Sequence, residues 1–209
     1  VDSVDMFDPI TKFSTMIMSR FKMPELLREA LRIAFSGKKG PVHLSYPKDI
    51  MGEEIEDTLL PPNAYRIKPE YFDRKLVIDA AAKLVRAKKP AMLVGSGAIE
   101  SGATSEVLEL AEMLNIPVAT TPKAKGAFPE SHELSLGVLG LSGSPAAEEY
   151  LMGDVDVLLV VGASLNQLTT FSWDPRIMPS DCLIHINIDP AEIGKNYPAG
   201  IGLVGDYLV

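Results

Sequence analysis

Cysteine is nearly absent from the 209-residue sequence, where it occurs once, as Cys182. The chain therefore cannot close a disulfide bond on itself or supply a four-cysteine zinc site. Cys182 lies in an apolar run, which favours a small buried side chain over a reactive thiol. A single cysteine also fits a reducing compartment, so a cytoplasmic location is predicted.

Long apolar runs and clusters of positive charge are missing as well. No stretch approaches the ~20 apolar residues of a membrane span, and no signal peptide is recognisable. The formal net charge is −8, and the two Lys–Lys pairs, at 38–39 and 88–89, are too short to form a basic patch. Because nucleic acids and anionic membrane surfaces bind clustered cations, we expect neither as a partner.

Familiar catalytic and metal-binding motifs are absent too. The three histidines, His43, His132 and His185, have no ligand-type neighbour at the spacing of a metal site. The sequence contains neither a G-x-S-x-G nor an H-E-x-x-H motif, and no serine or cysteine stands in a recognisable nucleophile-and-base pattern. We therefore predict no catalytic residue and no metal ligand in this chain.

The first fifty residues contain only one clear helix and one clear strand. Apolar residues over 24–36 recur at helical spacing, and the segment GPVHLSYP (40–47) is typical of a short strand between turn residues. One helix and one strand cannot form a domain, and the sequence begins at Val1 rather than at methionine. We expect residues 1–50 to be the end of a larger domain, with no partner strand for 40–47.

Residues 51–70 differ in character from the segments on either side. They are acidic and then proline-rich, with Pro61, Pro62 and Pro69, and they follow neither the period of a helix nor that of a strand. Proline keeps its predecessor extended, so we expect a linker between domains here. Residues 71–209 would then form a second domain.

Helical and strand patterns alternate regularly over residues 71–209. Helices are expected at 73–88, 102–114 and 145–152. Strands are expected at PAMLVG (90–95), IPVATT (116–121), VDVLLVVG (155–162), CLIHINID (182–189) and GIGLVGD (200–206). Continuous apolar runs such as VDVLLVVG are typical of strands buried on both faces. The pattern predicts an α/β fold with a mostly parallel sheet and helices on both sides, a three-layer α/β/α arrangement.

Ligands of open parallel sheets bind beyond the carboxyl ends of the strands, so the loops after the strands hold the candidate binding residues. These loops contain glycines that let a backbone approach a phosphate, hydroxyl and amide side chains, and carboxylates that could bind ribose hydroxyls. The candidates are Gly95, Ser96, Gly97, Thr120, Thr121, Gly162, Ser164, Asn166, Asp189 and Glu192.

Each loop also has a purely structural interpretation. The run G-S-G-A-I-E-S-G departs from the dinucleotide fingerprint G-x-G-x-x-G, so its glycines could serve only a tight strand-to-helix turn. Thr120 and Thr121, followed by Lys123, could hold a phosphate or form a solvated turn. Asp189 could bind a ribose or cap the turn that follows it.

Several segments, in their order, resemble the thiamine-diphosphate enzyme family that includes acetolactate synthase, oxalyl-CoA decarboxylase, glyoxylate carboligase and benzoylformate decarboxylase. GPVHLSYPKDIM resembles the close of the family's pyrimidine-binding domain. PAMLVGSGA, LNIPVATTPKAKGAFPE, VDVLLVVGASLNQLTT and HINIDPAEIGKNYP resemble its central domain. The resemblance implies a Rossmann-like, six-stranded central domain, which binds FAD or ADP in some members and is structural in others.

The departures from the family pattern matter for the cofactors. The sequence has no G-D-G…N motif, which would hold magnesium and diphosphate, and no glutamate in the place of the cofactor-activating one. The resemblance thus implies thiamine diphosphate and Mg²⁺ in the intact parent, at sites outside this chain, which alone would be inactive. Ser164 stands where nucleotide-binding members usually have arginine, which favours ADP or no nucleotide over FAD.

Two other classes of protein share features with this sequence. A sirtuin-like NAD-dependent deacylase is suggested by GSGAIESGA, but a single cysteine cannot supply its zinc cluster. A free-standing nucleotide-binding module, such as an electron-transfer flavoprotein domain, would contain the same strand-end loops. In the favoured interpretation the partners are the other domains of the same polypeptide, and the intact parent is a homodimer or homotetramer.

Overall fold

The computed structural model describes residues 2–57, 60–65 and 73–205. The chain divides into two compact units, Val1–Lys68 and Pro69–Val209. No helix among the described residues is long and apolar enough to cross a membrane.

The first unit has three helices and two short strands. In chain order they are α1 (Ser3–Phe7), β1 (Ser14–Met16), α2 (Met23–Phe35), β2 (His43–Ser45) and α3 (Lys48–Met51). The predicted helix and strand are confirmed, but the expectation that the strand has no partner is wrong. β2 pairs in parallel with β1, with Ser14 opposite His43. The segment Ser14–Met16 is too short and too polar to show a strand pattern, which is why the sequence did not predict it.

Lys12 closes the carboxyl end of α2. Its Nζ atom donates to the carbonyl oxygens of Ile33, Ser36 and Lys38 at 2.6–2.9 Å. The last carbonyls of a helix have no partner within the helix, and a cation there is also favoured by the helix dipole. A side chain that precedes β1 thus fixes the far end of α2.

Within the predicted linker, 51–70, the described residues include the end of α3 and a single 3₁₀ turn at Pro62–Ala64. Positions 58–59 and 66–70 of this segment lie outside the described residues. The assignment of 1–50, 51–70 and 71–209 to a domain end, a linker and a central domain stays a prediction.

The second unit alternates helices and strands. They are α4 (Arg74–Arg86), β3 (Pro90–Val94), α5 (Ser96–Ser101), α6 (Thr104–Leu114), β4 (Val118–Thr120), β5 (Ser135–Val138), α7 (Pro145–Leu151), β6 (Val157–Val161), β7 (Cys182–Asn187) and β8 (Ile201–Val204). The helix expected at 102–114 begins at Thr104, because Gly102 has a φ of +80° and ends α5 instead.

The strands of this unit form one six-stranded sheet in the order β5-β4-β3-β6-β7-β8, and every neighbouring pair is parallel. The predicted parallel α/β sheet is therefore confirmed. β5 was not predicted, because its four residues include a serine and a glycine. Gly137 within β5 has a φ of +83°, and the register with β4 shifts between Val118 and Ala119.

Alternate residues of β3 belong to two separate hydrophobic cores. Met92 and Val94 pack in the core to which α4 and α6 contribute. Ala91 and Leu93 pack in the core to which α7 contributes. Because successive side chains of a strand point to opposite faces, the sheet has a helical layer on each side, which confirms the three-layer arrangement.

Candidate functional site

The candidate site lies at the switch point of the six-stranded sheet. β3 and β6 are neighbours at its centre, and the strands that follow them in sequence lie on opposite sides, β4 beyond β3 and β7 beyond β6. In sheets of this order a crevice opens outside the carboxyl ends of the two central strands. Two of the four candidate loops, those that begin at Gly95 and at Gly162, follow β3 and β6 directly.

These two loops touch each other through their backbones. A Cβ atom on Gly95 would lie 2.1 Å from the carbonyl oxygen of Gly162, and one on Gly162 would lie 2.8 Å from the Cα atom of Gly97. The amide of Gly97 donates to the Gly162 oxygen at 3.1 Å, and the amide of Gly95 donates to the Val161 oxygen at 2.7 Å. The glycines are thus required for loop-to-loop packing, and these two amides already have acceptors within the chain.

The start of the loop after β4 is bound through backbone hydrogen bonds to the ends of the two neighbouring strands. Thr120 and Thr121 are both buried. The amide of Thr121 donates to the Val94 oxygen at 2.8 Å, and the Thr120 oxygen accepts from Leu139 at 2.8 Å. Lys123, on a 3₁₀ turn, is exposed. The two threonines are therefore placed beside the end of β3, while the lysine is accessible to solvent.

Asn166 organises the loop after β6. Its side-chain oxygen accepts from the amides of Leu168 and Thr169, both at 3.1 Å, and its carbonyl oxygen accepts from the amide and hydroxyl of Thr170. The side chain of Asn166 therefore acts as a cap for the following turn. The carbonyl oxygens of the two preceding residues, Ser164 and Leu165, accept from Asn196 Nδ2 at 3.3 and 3.1 Å.

The same loop then turns through left-handed backbone. Phe171, Ser172 and Trp173 have φ values of +50°, +62° and +62°. Left-handed conformation costs a residue other than glycine roughly 1–2 kcal/mol, so three in succession require support from their surroundings. Part of that support comes from Thr170, whose hydroxyl accepts from the Trp173 amide and whose carbonyl accepts from the Asp174 amide.

Two side chains of the neighbouring strand β7 form hydrogen bonds to the loop after β6. The Ala163 carbonyl oxygen accepts from His185 Nε2 at 2.8 Å and from Asn187 Nδ2 at 3.4 Å. Because a carbonyl oxygen only accepts, His185 is protonated on Nε2, and its buried Nδ1 atom has no hydrogen-bond partner. Burial lowers the pKa of His185 below its ordinary value, despite the opposing effects of the Ala163 oxygen and of Glu192. His185 is therefore a neutral imidazole that fixes the loop.

The candidate carboxylates after β7 are also bound within the chain. Asp189 Oδ1 accepts from the Ala191 amide at 3.0 Å, which is the cap expected in the structural interpretation. Glu192 is buried and its Oε1 atom lies 3.3 Å from Lys195 Nζ. Both carboxylates lie at the carboxyl end of the sheet, as predicted, and both already have hydrogen-bond or ionic partners.

The structure brings the predicted residues to one edge of the sheet and shows three further residues that were not among the candidate binding residues. His185, Asn187 and Asn196 hold the carbonyls of the loop after β6. A polar residue inside an otherwise apolar strand, such as His185 in CLIHINI, is the signal that the sequence offers for such a residue. Asn196 gave no signal, since its partners lie some thirty residues away in sequence.

Side chains capable of nucleophilic or metal chemistry do not assemble in the described ranges. Among residues 2–57, 60–65 and 73–205, no three His, Cys, Asp or Glu side chains could hold a metal ion. In the first unit, Ser14 Oγ lies 3.0 Å from His43 Nδ1, but its proton is donated to the Val4 carbonyl at 2.9 Å. His43 consequently donates to Ser14 rather than acting as its base.

The loops of the second unit offer a poor fit to a diphosphate. Of the groups that could bind one, the amides of Gly95 and Gly97 are engaged, Ser164 has no charge, and the loop carboxylates would repel a phosphate. The described residues also show no carboxylate cluster for Mg²⁺, so they do not fit the diphosphate end of thiamine diphosphate either.

Comparison with known proteins identifies the family of the chain. Residues 77–208 match the family model described as thiamine pyrophosphate enzyme, central domain. The chain is 42% identical over 212 aligned residues to a probable acetolactate synthase large subunit of Methanocaldococcus jannaschii, covering 99% of this chain and 35% of the relative. It is 39% identical to acetolactate synthase of Mycobacterium bovis, covering 95% of this chain and 32% of that protein.

Among solved structures, the chain is similar to benzoylformate decarboxylase from Polynucleobacter necessarius, with a TM-score of 0.79 and 25% identity. That match covers 99% of this chain and 38% of the other. The chain thus spans about a third of the length of the relatives it matches. The matched family model, the relatives and the six-stranded parallel sheet together show that this chain belongs to the thiamine-diphosphate-dependent enzyme family and contains its central domain, similar to that of acetolactate synthase.

Proposed function

We propose that the chain acts as a non-catalytic scaffold within a longer thiamine-diphosphate-dependent 2-oxo-acid decarboxylase or carboligase. The observation that carries this proposal is the closure of the switch point. Gly95 and Gly162 meet backbone to backbone, and the amides of Gly95 and Gly97 and the carboxylates of Asp189 and Glu192 already have partners within the chain. A crevice filled in this way positions loops rather than reacting groups.

The proposed scaffold would present rigid loops at the carboxyl edge of its sheet. His185, Asn187 and Asn196 fix three successive carbonyls of the loop after β6. Thiamine diphosphate supplies a carbanion at its thiazolium ring when bound, and we propose that its site and that of Mg²⁺ lie outside residues 1–209. We further propose that residues 1–50 close a pyrimidine-binding domain, and that the protein is cytoplasmic.

The test of this proposal is an activity measurement on the purified 209-residue chain with pyruvate, thiamine diphosphate and Mg²⁺. We expect no turnover, while a full-length protein that contains these residues should decarboxylate or condense a 2-oxo acid. Turnover by the 209-residue chain alone would contradict a non-catalytic role.

Nucleotide binding by the second unit is the second candidate function. Its support is the convergence of four strand-end loops at one edge of the sheet, with Ser96, Thr121 and Asp189 among their residues. Of the two nucleotides we propose ADP rather than FAD, because Ser164 stands where nucleotide-binding members of the family usually have arginine. Since the amides of Gly95 and Gly97 are also engaged, we expect this binding to be weak.

Thermal unfolding with and without ligand tests this candidate, since a ligand that binds only the folded form raises the midpoint by mass action. We expect ADP to raise the midpoint more than FAD does, and we expect Ser164→Arg to enlarge the ADP effect. If neither nucleotide shifts the midpoint of either protein, nucleotide binding is wrong and the scaffold role stands alone.

A further inference from the structure

An open cavity lies along β5, the edge strand of the six-stranded sheet, two strands away from β3 and the switch point. Its volume is about 420 Å³, which is within the usual range of small-molecule sites. It is lined by β5, by residues 142–144 of the loop that follows, and by the polar side chains of Lys125 and Glu130. The candidate binding residues at the other strand ends are not among its lining residues, so the cavity is a separate place in the second unit.

Close backbone packing shapes the part of the cavity that the loop after β5 forms. The amides of Gly143 and Ser144 donate to the carbonyl oxygens of Gly140 and Val138 at 2.8 and 2.7 Å. A Cβ atom on Gly143 would lie 2.3 Å from the Val138 oxygen, and one on Gly137, which has a φ of +83°, would lie 2.9 Å from Ser144 Cβ. Because these contacts require glycine at both positions, the cavity has its shape before any ligand binds.

Three serine hydroxyls line this cavity. In the described part of the chain, the hydroxyls of Ser142 and Ser144 form no hydrogen bond. Ser135 Oγ accepts from the Gly137 amide at 3.3 Å, which leaves its own proton to donate. Ser142 also has a φ of +61°, and left-handed backbone at a residue other than glycine is concentrated at ligand-binding and active sites. The hydroxyls therefore supply hydrogen-bond donors at a strained, preformed rim.

One cation and one carboxylate line the same cavity. Lys125 Nζ and Glu130 Oε1 are 3.8 Å apart, which is too far for a hydrogen bond, and the two side chains are 67% and 52% exposed. Such a pair contributes little to stability, so both charged groups are available to a ligand. A ligand of a single charge would be repelled by one of the two side chains. A ligand that carries both signs would pair with each of them.

We propose that the cavity beside β5 binds a free α-amino acid with a small apolar side chain. The carboxylate of the amino acid accepts from Lys125 and from the serine hydroxyls, and its ammonium group donates to Glu130. Leu136, Val138 and Ala146 also line the cavity and provide apolar contacts for the side chain. This site goes beyond the proposed scaffold function and does not depend on it.

Amide chemical shifts of the ¹⁵N-labelled 209-residue chain, titrated with L-alanine, test the proposal. We expect saturable shifts at Gly137 and Gly143 with a dissociation constant on the order of 1 mM, since both charged side chains are exposed. Binding should weaken as salt is added. N-acetyl-L-alanine lacks the ammonium group and L-alanine amide lacks the carboxylate, and each should bind about tenfold more weakly than alanine, through the loss of one charged hydrogen bond.

Charge variants identify the two partners of the ligand. Lys125→Met and Glu130→Gln should each weaken alanine binding about tenfold. Glu130→Gln should at the same time strengthen the binding of N-acetyl-L-alanine, because it removes the carboxylate that repels an anion. Lys88→Met and Glu133→Gln change exposed charges that do not line the cavity, and they should leave the dissociation constant unchanged.

A steric variant locates the site. Ala146 is an exposed residue of α7, so Ala146→Phe should fill the cavity and abolish binding while circular dichroism shows the chain to be folded. The absence of saturable shifts with alanine would overturn the proposal. So would equal affinities for alanine and N-acetyl-L-alanine, which would indicate a site for anions, or alanine binding that survives Ala146→Phe or both charge variants.

Discussion

In the first unit, the buried apolar residues among those described are Ile17 and Ala30. The second unit buries all residues of the strands β3, β4, β6 and β7 except Pro90 and Ile186, and it has two separate hydrophobic cores. Both units contain parallel strands and amphipathic helices. They differ in the number of strands, two in the first unit and six in the second. A sheet of two three-residue strands has too little surface to enclose side chains on either face.

The same local patterns thus have different energetic weight in the two units. Three or more strands with a packed face are generally needed for a sheet to be stable independently. In the first unit, capping and surface contacts therefore carry a larger share of the stability. In the second unit, the burial of apolar side chains carries the larger share of the stability.

Truncating a buried leucine should give the largest difference between the units. Leu158 of β6 is fully buried, whereas Leu27 of α2 is 42% exposed. We expect Leu158→Ala to lower the free energy of unfolding by about 2–5 kcal/mol and Leu27→Ala by about 0.5 kcal/mol. Urea unfolding measures both. Equal effects would show that the first unit has a core comparable with that of the second.

Adding one methyl group to a glycine should give the second-largest difference in stability between the units. A Cβ atom at Gly95 would meet the Gly162 oxygen at 2.1 Å, while one at Gly52, in the first unit, would meet nothing within 4 Å. Gly95→Ala should therefore cost about 3 kcal/mol, since backbone must move, and Gly52→Ala should be close to neutral. Thermal unfolding gives both values, and a harmless Gly95→Ala would contradict the loop-to-loop packing at the switch point.

Acid should destabilise the second unit, because unfolding allows His185 to take up a proton. Burial keeps the folded-state pKa of His185 below that of the unfolded chain, so unfolding takes up a proton at low pH. The stability is complete above about pH 6.5 and falls as the pH drops from there to the folded-state pKa, by at most ~1.4 kcal/mol per pH unit. Trp173, the only tryptophan, reports unfolding of this unit by fluorescence.

His185→Gln is the control for this effect, because glutamine can still donate to the Ala163 oxygen and does not titrate in this range. The stability of the variant should depend less on pH between 6.5 and 4.5 than that of the original chain. Parallel pH profiles of the two proteins would show that His185 does not take up the proton.

Removing a helix cap should have the smallest effect, and it should act on the first unit. Lys12→Met loses three charged hydrogen bonds to the carboxyl end of α2 and should cost about 1 kcal/mol. Lys22→Met removes only an exposed pair with Glu25 and should change nothing measurable. Amide hydrogen exchange of α2 measures the local effect. Equal exchange rates in the two variants would refute the capping role of Lys12.

The fold of the second unit could be predicted because burial on both faces produces apolar runs that contrast with the segments between them. Val157–Val161 and Cys182–Asn187 lie within the predicted runs. β5 escaped prediction because an edge strand needs no such run, and α5 escaped because its glycines resemble a loop. β1 was not predicted because its three residues, Ser14–Met16, are too few and too polar to show a strand pattern.

The sequence predicted where the candidate loops lie in the sheet, but it did not predict which groups their residues contact. Parallel topology brings the loops after the strands to one edge, and the sequence is enough for that inference. Whether Gly95 faces a phosphate or the Gly162 oxygen depends on distances between loops that are far apart in sequence. The roles of His185 and Asn196 depend on the same long-range geometry.

The strand order β5-β4-β3-β6-β7-β8 also has a consequence for how the second unit folds. No two of its strands form a hairpin, and the central strand β3 pairs with β6 only after the whole segment from Gly95 to Asp156 has been passed. Closing a loop of that length is entropically costly and makes folding slow. During synthesis, the apolar edge of β3 stays open until Val157–Val161 has emerged, which is the period in which this domain is most exposed to aggregation.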